Sequence, residues 1–319
     1  MDLLFDKICD FYNLGKIINV PKIVSGGITN KVYKIDTNKS SYIFKLLTTK
    51  DIQKYECSEA IAHIASTNNI NVLYAIKCND RYVNTIDGIN VSVYPYYDGK
   101  VLKSNELSLE HIKLLAESLG RLHSIKIDKK YNISKYKKND YKSLYDKLND
   151  DSCYRTFKEN INKIIEIYNK AYDSYNKLSN NYSYVHKDFN RKNVLWKKYD
   201  FKIIDWETSA IDNPIIDFFN SAWFLTNDIE EDKFNVFIEE YFKYNSFKDN
   251  LKNGVYAAII EECNWLYFSL QRALSIITKD PYEIDLGKES INSSTNEIIN
   301  YYNKIDLMIE LLTKKGLIK

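Results

Sequence analysis

The chain has 319 residues, is 45% hydrophobic and 28% charged, and carries a formal net charge of +2. Its length suits two medium domains or one two-lobed unit with a sizeable core, and its near balance of acid and base argues against a dedicated nucleic-acid binder. Five scattered cysteines without a C-x-x-C spacing indicate a reducing compartment, and no apolar run reaches the ~20 residues of a membrane span, so a cytoplasmic protein with no membrane or nucleic-acid partner is expected.

The first hundred residues read as strands with one helix. PKIVSGGITNKVYKID is a strand, a glycine turn and a second strand, and SYIFKLL is a third, β-rich and alternating. DIQKYECSEAIAHIASTNN places Ile61, Ile64 and Ala65 at helical spacing. NVLYAIK and INVSVYPYY return to strand, and YPYYDGK, with Pro95, Asp98 and Gly99, divides the chain into an N-terminal segment, 1–96, and a C-terminal segment, 97–319. Beyond it Ser108 caps a predicted helix through His123, with Ile112, Leu115, Leu119 and Leu122 on one face. Helical patterns follow near 140–148, 154–178, 215–227, 231–245, 252–278 and 289–314. Only the segment 185–207 interrupts them with short strands.

That segment, VHKDFNRKNVLWKKYDFKIIDWE, carries the chemistry. Asp188 is followed five residues later by Asn193, and Asp205 closes an apolar run twelve residues after that. NVLW and FKII flank a Lys-Lys-Tyr-Asp turn and predict a hairpin, which would bring the two carboxylates and the amide into one cleft. Their grouping suits phosphoryl transfer: Asp188 to orient an acceptor hydroxyl as base, and Asn193 and Asp205 as hard oxygen ligands for Mg2+. The N-terminal segment supplies matching pieces in order. These are a glycine-bearing loop (Ser25, Gly26, Gly27, Thr29, Asn30), Lys45 inside the third strand, and Glu56 and Glu59 on the following helix. Glu59 is preferred over Glu56 because Ala60, Ile61 and Ile64 mark the buried side.

Together GGITN, YIFKL, YPYYDGK, LGRLHSI, VHKDFNRKNVLW, IIDWE and NPIID resemble the aminoglycoside phosphotransferase and choline kinase family, over about residues 20 to 225. The resemblance implies an α+β, protein-kinase-like two-lobed fold with a small β-rich N-lobe and a large helical C-lobe. It implies an enzyme using ATP or GTP with Mg2+. Asp188 would be the catalytic Asp, Asn193 and Asp205 the metal ligands, and Lys45 the contact to nucleotide phosphates, held by Glu59. The backbone around Tyr94 to Tyr96 would meet the adenine, His186 would pack the catalytic loop, and Asp217 would brace it. His63, His111 and His123 lie on helical patterns and are read as structural. Two positions depart from the family: Lys187 stands where Gly or Asn is frequent, and Trp206–Glu207 follow Asp205 in place of Phe–Gly.

The acceptor is expected to be a cationic small molecule, bound by carboxylates or by an aromatic cage. Glu261, Glu262 and Trp265 in EECNWLYFSLQR, with Glu207 and Trp223, are the candidates. An aminoglycoside-type acceptor leads, choline or another amino alcohol is the alternative, and a non-catalytic nucleotide-binding protein is the reading from another class. Only Thr208–Asn213 separates IDWE from NPIID, which leaves little room for a peptide-docking segment. A monomer is expected.

Overall fold

In SYIFKLL the side chains of Phe44 and Lys45 leave the strand on opposite faces, and the first unit is arranged around that alternation. The computed structural model describes residues 2–24, 30–48, 51–127, 133, 135–149 and 151–318. In chain order the elements begin with α1 (Asp2–Phe11), β1 (Lys22–Ile23), β2 (Lys31–Asp36), β3 (Ser41–Leu47), α2 (Ile52–Thr67), β4 (Asn84–Ile86) and β5 (Ile89–Pro95). Next come α3 (Leu109–Ser124), α4 (Tyr141–Tyr145), α5 (Arg155–Tyr175), β6 (Ser183–Val185), β7 (Val194–Lys197), β8 (Asp200–Ile203) and β9 (Ala210–Asp212). The chain finishes with α6 (Pro214–Leu225), α7 (Glu231–Tyr241), α8 (Leu251–Ala258), α9 (Ile260–Ala273) and α10 (Pro281–Lys314). Contacts divide them into two compact units: Met1–Glu106, Ile125–Asn132 and His186–Ala210, and Leu107–Ser124, Ile133–Val185 and Ile211–Lys319. A boundary at 96/97 cuts across this grouping, because the segment carrying Asp188 and Asp205 packs with the first unit.

The first unit is built on an antiparallel sheet in the order β1-β2-β3-β5-β4. Phe44 stands opposite Tyr33 and Val93, and these join Ile35, Val91 and Ile86 in a core closed by Phe5, Ile8 and Cys9 of α1. Lys45, one residue on, stands opposite Val32 and Ser92 and faces away from that core. The predicted hairpin is formed by β7 and β8, with Val194 opposite Ile203, Lys197 opposite Asp200, and Trp196 against Phe201 at 4.7 Å. Trp196 exchanges backbone hydrogen bonds with Lys100 (2.8 and 3.0 Å), and the Tyr97 hydroxyl donates to Asp200 (2.9 Å), so the hairpin is pinned to the chain after β5.

Three expectations change. NVLYAIK is not a strand: its bridge is Val72 to Ile203, and its extended backbone bonds at separate points, from Leu73 N to Ile203 O (2.9 Å) and from Ile76 N to Val93 O of β5 (2.6 Å), without forming a ladder. The fourth strand is NTI at 84–86, too short to show a period. The pattern at 252–278 is two helices that meet at Ile259, and the last helix starts at Pro281, eight residues earlier than its apolar spacing suggests, behind an Asp280 cap that accepts from Tyr282 N (3.0 Å).

In the second unit α9 and α10 pack closely enough to need a glycine. A Cβ at Gly287 would lie 2.8 Å from each of Ala273 N, Arg272 Cβ and Ser269 O, two of them backbone atoms of α9 that cannot swing aside. Alanine gains about 1 kcal/mol of helix propensity over glycine, whereas forced overpacking costs about 1–3 kcal/mol. The clash wins: Gly287→Ala should lower unfolding stability by about 1–2 kcal/mol, read from the urea midpoint.

Candidate active site

The groups singled out in 185–207 lie within the first unit, and local bonds hold each of them. Val185 and Ile203 are buried at the ends of their strands, so the chain leaves both at points where polar side chains can turn toward solvent. His186 is fully buried, with its ring against Trp206 (4.6 Å) and Phe189 (5.6 Å). Its Nδ1 accepts from Asp188 N (3.3 Å), so the proton sits on Nε2, which donates to Ile204 O (3.1 Å). The ring therefore ties the loop before Asp188 to the chain before Asp205.

Asp188 has both carboxylate oxygens engaged. Asn193 Nδ2 donates to Oδ2 (2.7 Å) and to the Asp188 carbonyl (2.8 Å), and Asn190 Nδ2 donates to Oδ1 (2.5 Å). Asn190 was not among the expected site residues; its signal is its place as cap of the turn Arg191–Asn193, where its Oδ1 accepts from Lys192 N (2.9 Å). Loss of hydration pushes the Asp188 carboxyl up to about 7, with the Asp205 charge adding and the amides of Asn193 and Asn190 opposing. The residue keeps a solvent-exposed edge, so water screens some of that cost.

Asp205 follows β8 in a left-handed conformation (φ 63°), which Asp tolerates better than most residues. Lys45 Nζ lies 2.8 Å from Asp205 Oδ1 and 2.8 Å from Glu207 Oε2. Burial alone would lower the Lys45 pKa; the Tyr55 hydroxyl and the two carboxylates reverse that and raise it well above its ordinary value. Glu207 Oε2 also accepts from Asn30 Nδ2 (3.1 Å), and Asn30 Oδ1 accepts from Thr48 N (3.1 Å).

Two assignments are corrected here. Glu59 does not pair with Lys45: its Oε1 accepts from the Tyr94 hydroxyl (2.6 Å) and its Oε2 from Ala75 N (2.8 Å). Buried on the inner face of α2, it is pushed up to about 7 chiefly by lost hydration. Glu207, expected in the acceptor pocket, instead stands against Lys45 because the turn Trp206–Thr208 points it back toward β3. The Tyr96 amide is donated to Ser41 O (3.0 Å), so it is not a spare donor for a base, and its ring stacks under Lys34 at 4.0 Å. Ser25, Gly26, Gly27 and Thr29 lie outside the described residues.

In the second unit Trp223 is a core residue, 1% exposed, with its Nε1 donated to Glu297 and its ring against Tyr301 at 5.1 Å; this corrects its assignment to an acceptor pocket. Glu261 is half-buried and receives the Tyr136 hydroxyl, which also lies 3.4 Å from Asp212 Oδ2. Glu262 and Trp265 are half-buried on the same helix, Trp265 beside Phe268 at 5.8 Å. Asp217 meets His123 Nε2 (3.1 Å), whose Nδ1 faces the Tyr241 hydroxyl (2.7 Å), tying α6 to α3 and α7. His63 pairs with Tyr82 Oη (2.6 Å), and His111 Nδ1 accepts from Ser108 N (3.1 Å).

Two outcomes follow from this geometry. Lys187 is also left-handed (φ 67°), a conformation that costs a long side chain about 1 kcal/mol and costs asparagine less. Lys187→Asn should raise stability by about 0.5–1 kcal/mol in chemical denaturation. The folded-state pKa of Glu59, raised from 4.5 to about 7, means folding takes up a proton between those values. The stabilisation this gives is present below 4.5, falls as pH rises, and is gone above about 7. Glu59→Gln cannot titrate, so its stability relative to the parent should improve by about 3 kcal/mol between pH 4.5 and about 8, read from denaturation midpoints at each pH.

Comparison with known proteins places this geometry in a family. The sequence profile of a phosphotransferase enzyme family matches residues 21–252. No curated protein sequence is matched significantly. A spectinomycin phosphotransferase solved with ADP and spectinomycin is 16% identical at a TM-score of 0.69, covering 93% of this chain and 97% of that one. An amicoumacin kinase solved with AMP-PNP and Ca2+ is 14% identical at 0.61, covering 92% and 93%. A Plasmodium vivax ethanolamine kinase is 17% identical at 0.55, covering 87% and 83%. At such identities the likeness is one of fold, protein-kinase-like and α+β, with a small antiparallel sheet and a helical C-terminal region. Among the described residues no helix is long and apolar enough to cross a membrane. With the family profile spanning most of its length, the chain belongs to the phosphotransferase enzyme family, whose members phosphorylate hydroxyl groups of small molecules.

Proposed function

We propose that this enzyme moves the γ-phosphoryl group of ATP or GTP to a hydroxyl of a cationic small molecule, most simply an aminoglycoside-type acceptor. The observation that carries the reading is Asp188: a carboxylate with one exposed edge, held at both oxygens by Asn193 and Asn190, on a loop braced by His186. Such a group is oriented before substrate arrives. In the reaction the acceptor oxygen attacks the γ-phosphorus while the bond to the β–γ bridging oxygen breaks. The acceptor proton passes to Asp188 and the nucleoside diphosphate leaves. Lys45 is the cation placed to meet the nucleotide phosphates.

The donor set fits a magnesium ion. Asn193 spends its Nδ2 on Asp188, which leaves Oδ1, and Asp205 pairs with Lys45 through Oδ1, which leaves Oδ2. One amide and one carboxylate oxygen are hard ligands of the number Mg2+ takes from protein when phosphates and water supply the rest. Bound there, Mg2+ would neutralise phosphate charge. A cationic acceptor is supported by the pair Glu261 and Asp212 around the Tyr136 hydroxyl, beside the Tyr175 ring at 5.0 Å. The same chemistry would suit an amino alcohol such as ethanolamine, the second reading.

The test is nucleotide turnover with Mg2+ and ATP or GTP against a panel of aminoglycosides and amino alcohols. Asp188→Asn should lower kcat about 10^2–10^4-fold while nucleotide affinity stays within a few-fold of the parent. Nucleotide binding without turnover, unaffected by Asp188→Asn, would favour a binding protein instead.

A further inference from the structure

Beside Asp205, which meets Lys45 at 2.8 Å and is proposed to turn its other oxygen to the metal, Glu59 and Glu207 are the acids considered for holding Lys45, and they are arranged differently. Glu59 on α2 has each oxygen committed, to Tyr94 and to Ala75 N. Lys45 Nζ faces the Tyr55 ring at 5.7 Å, and the Tyr55 hydroxyl lies 3.3 Å from that of Tyr94, which itself donates to Glu59. Glu207 lies directly on the ammonium at 2.8 Å, and its Oε2 also receives the Asn30 amide. The turn that carries it is rigidly set. Trp206 is 2% exposed and donates from Nε1 to Ile203 O (3.2 Å), Thr208 Oγ1 donates to His186 O (3.1 Å), and Ser209 Oγ donates to Trp206 O (2.6 Å).

From this we infer that Glu207, and not Glu59, is the positioning residue for Lys45. The inference rests on the phosphotransferase reading above and adds the residue that aims its lysine. Glu207 touches no reacting atom. It fixes the direction of the Lys45 side chain from the same segment that carries Asp205, and it joins that segment to Asn30 at the start of β2. The acid two residues past Asp205, where the wider kinase pattern has glycine, thereby takes over the task the helix acid would perform. Glu59 is left to hold α2 to residue 75 and to β5.

Two opposing effects set the expected signature. Removing the Glu207 charge relieves repulsion of a polyphosphate, so ground-state nucleotide binding changes little. Loss of the fixed ammonium geometry falls on the transition state. The experiment is a pair of double-mutant cycles on Mg2+-dependent ATP hydrolysis, using Glu207→Gln, Glu59→Gln and Lys45→Ala. Expected for Glu207→Gln are a kcat at least about tenfold lower with nucleotide KM within about threefold, and almost no further loss when it is added to Lys45→Ala. Glu59→Gln should cost less and should keep its full effect in the Lys45→Ala background, since it acts independently. Glu207→Asp, which keeps the charge but shortens the reach, should fall with Glu207→Gln and carries the test if the latter folds poorly.

The inference is overturned if Glu207→Gln and Glu207→Asp both turn over like the parent. It is overturned equally if their losses multiply with that of Lys45→Ala, or if Glu59→Gln is the variant that fails to add to it. A parent protein that neither binds nor hydrolyses nucleotide would instead overturn the phosphotransferase reading itself, a different and separable result.

Discussion

The first unit depends on a partly buried cation. Lys45 sits mid-strand with its side chain 14% exposed, where an isolated ammonium would lose more in hydration than a strand could return. Two carboxylates make the position tenable, and both come from the short stretch just after β8, so β3 and the hairpin are linked through one nitrogen. Such a pair contributes modest net stability, because desolvation offsets much of its attraction, yet breaking it would leave an uncompensated charge. Its effect is one of geometry: the ammonium and Asp205 stay within hydrogen-bond distance of each other.

Around that pair the backbone is held in conformations that local preference disfavours. Lys187 and Asp205 are both left-handed, one before Asp188 and one at the end of the apolar run. Strain of this kind persists where surrounding contacts over-determine it, and here the contacts are plain. His186 is bonded through one ring nitrogen to Asp188 N and through the other to Ile204 O, and Trp206 packs on its face. The frequent Gly or Asn at the position of Lys187 thereby acquires a physical reason.

The helical unit uses its polar groups differently. Trp223, Asp217 and His123 are buried and satisfied among helices, and Gly287 lets α9 and α10 meet at backbone distance. Arg272, 1% exposed, has Glu283 Oε2 at 3.4 Å and the Phe268 ring at 5.3 Å, a buried charge compensated without ideal hydrogen bonds. Tyr136 differs from these in standing between two acids, Glu261 and Asp212.

Much of this was legible in the amino-acid order alone, where the signal is local. Alternation in SYIFKLL put Phe44 and Lys45 on opposite faces, the apolar runs of NVLW and FKII predicted the hairpin, and the intervals among Asp188, Asn193 and Asp205 singled out the segment proposed to carry the chemistry. Tertiary structure alone decided which partners those groups take. Sequence order pointed to Glu59 as the partner of Lys45 and to Glu207 as an acceptor-pocket acid. Only the fold shows Glu59 saturated by Tyr94 and Ala75 and Glu207 resting on Lys45. NVLYAIK has the composition of a strand but divides its backbone bonds between Ile203 and Val93 and forms no ladder with either, and Trp223 has the chemistry of a cage but is enclosed by α10. Periodicity and turn chemistry act over a few residues and can be read in order. The choice of ion-pair partner, like the burial of one aromatic rather than another, is a contest between groups far apart in sequence, settled when the chain closes on itself.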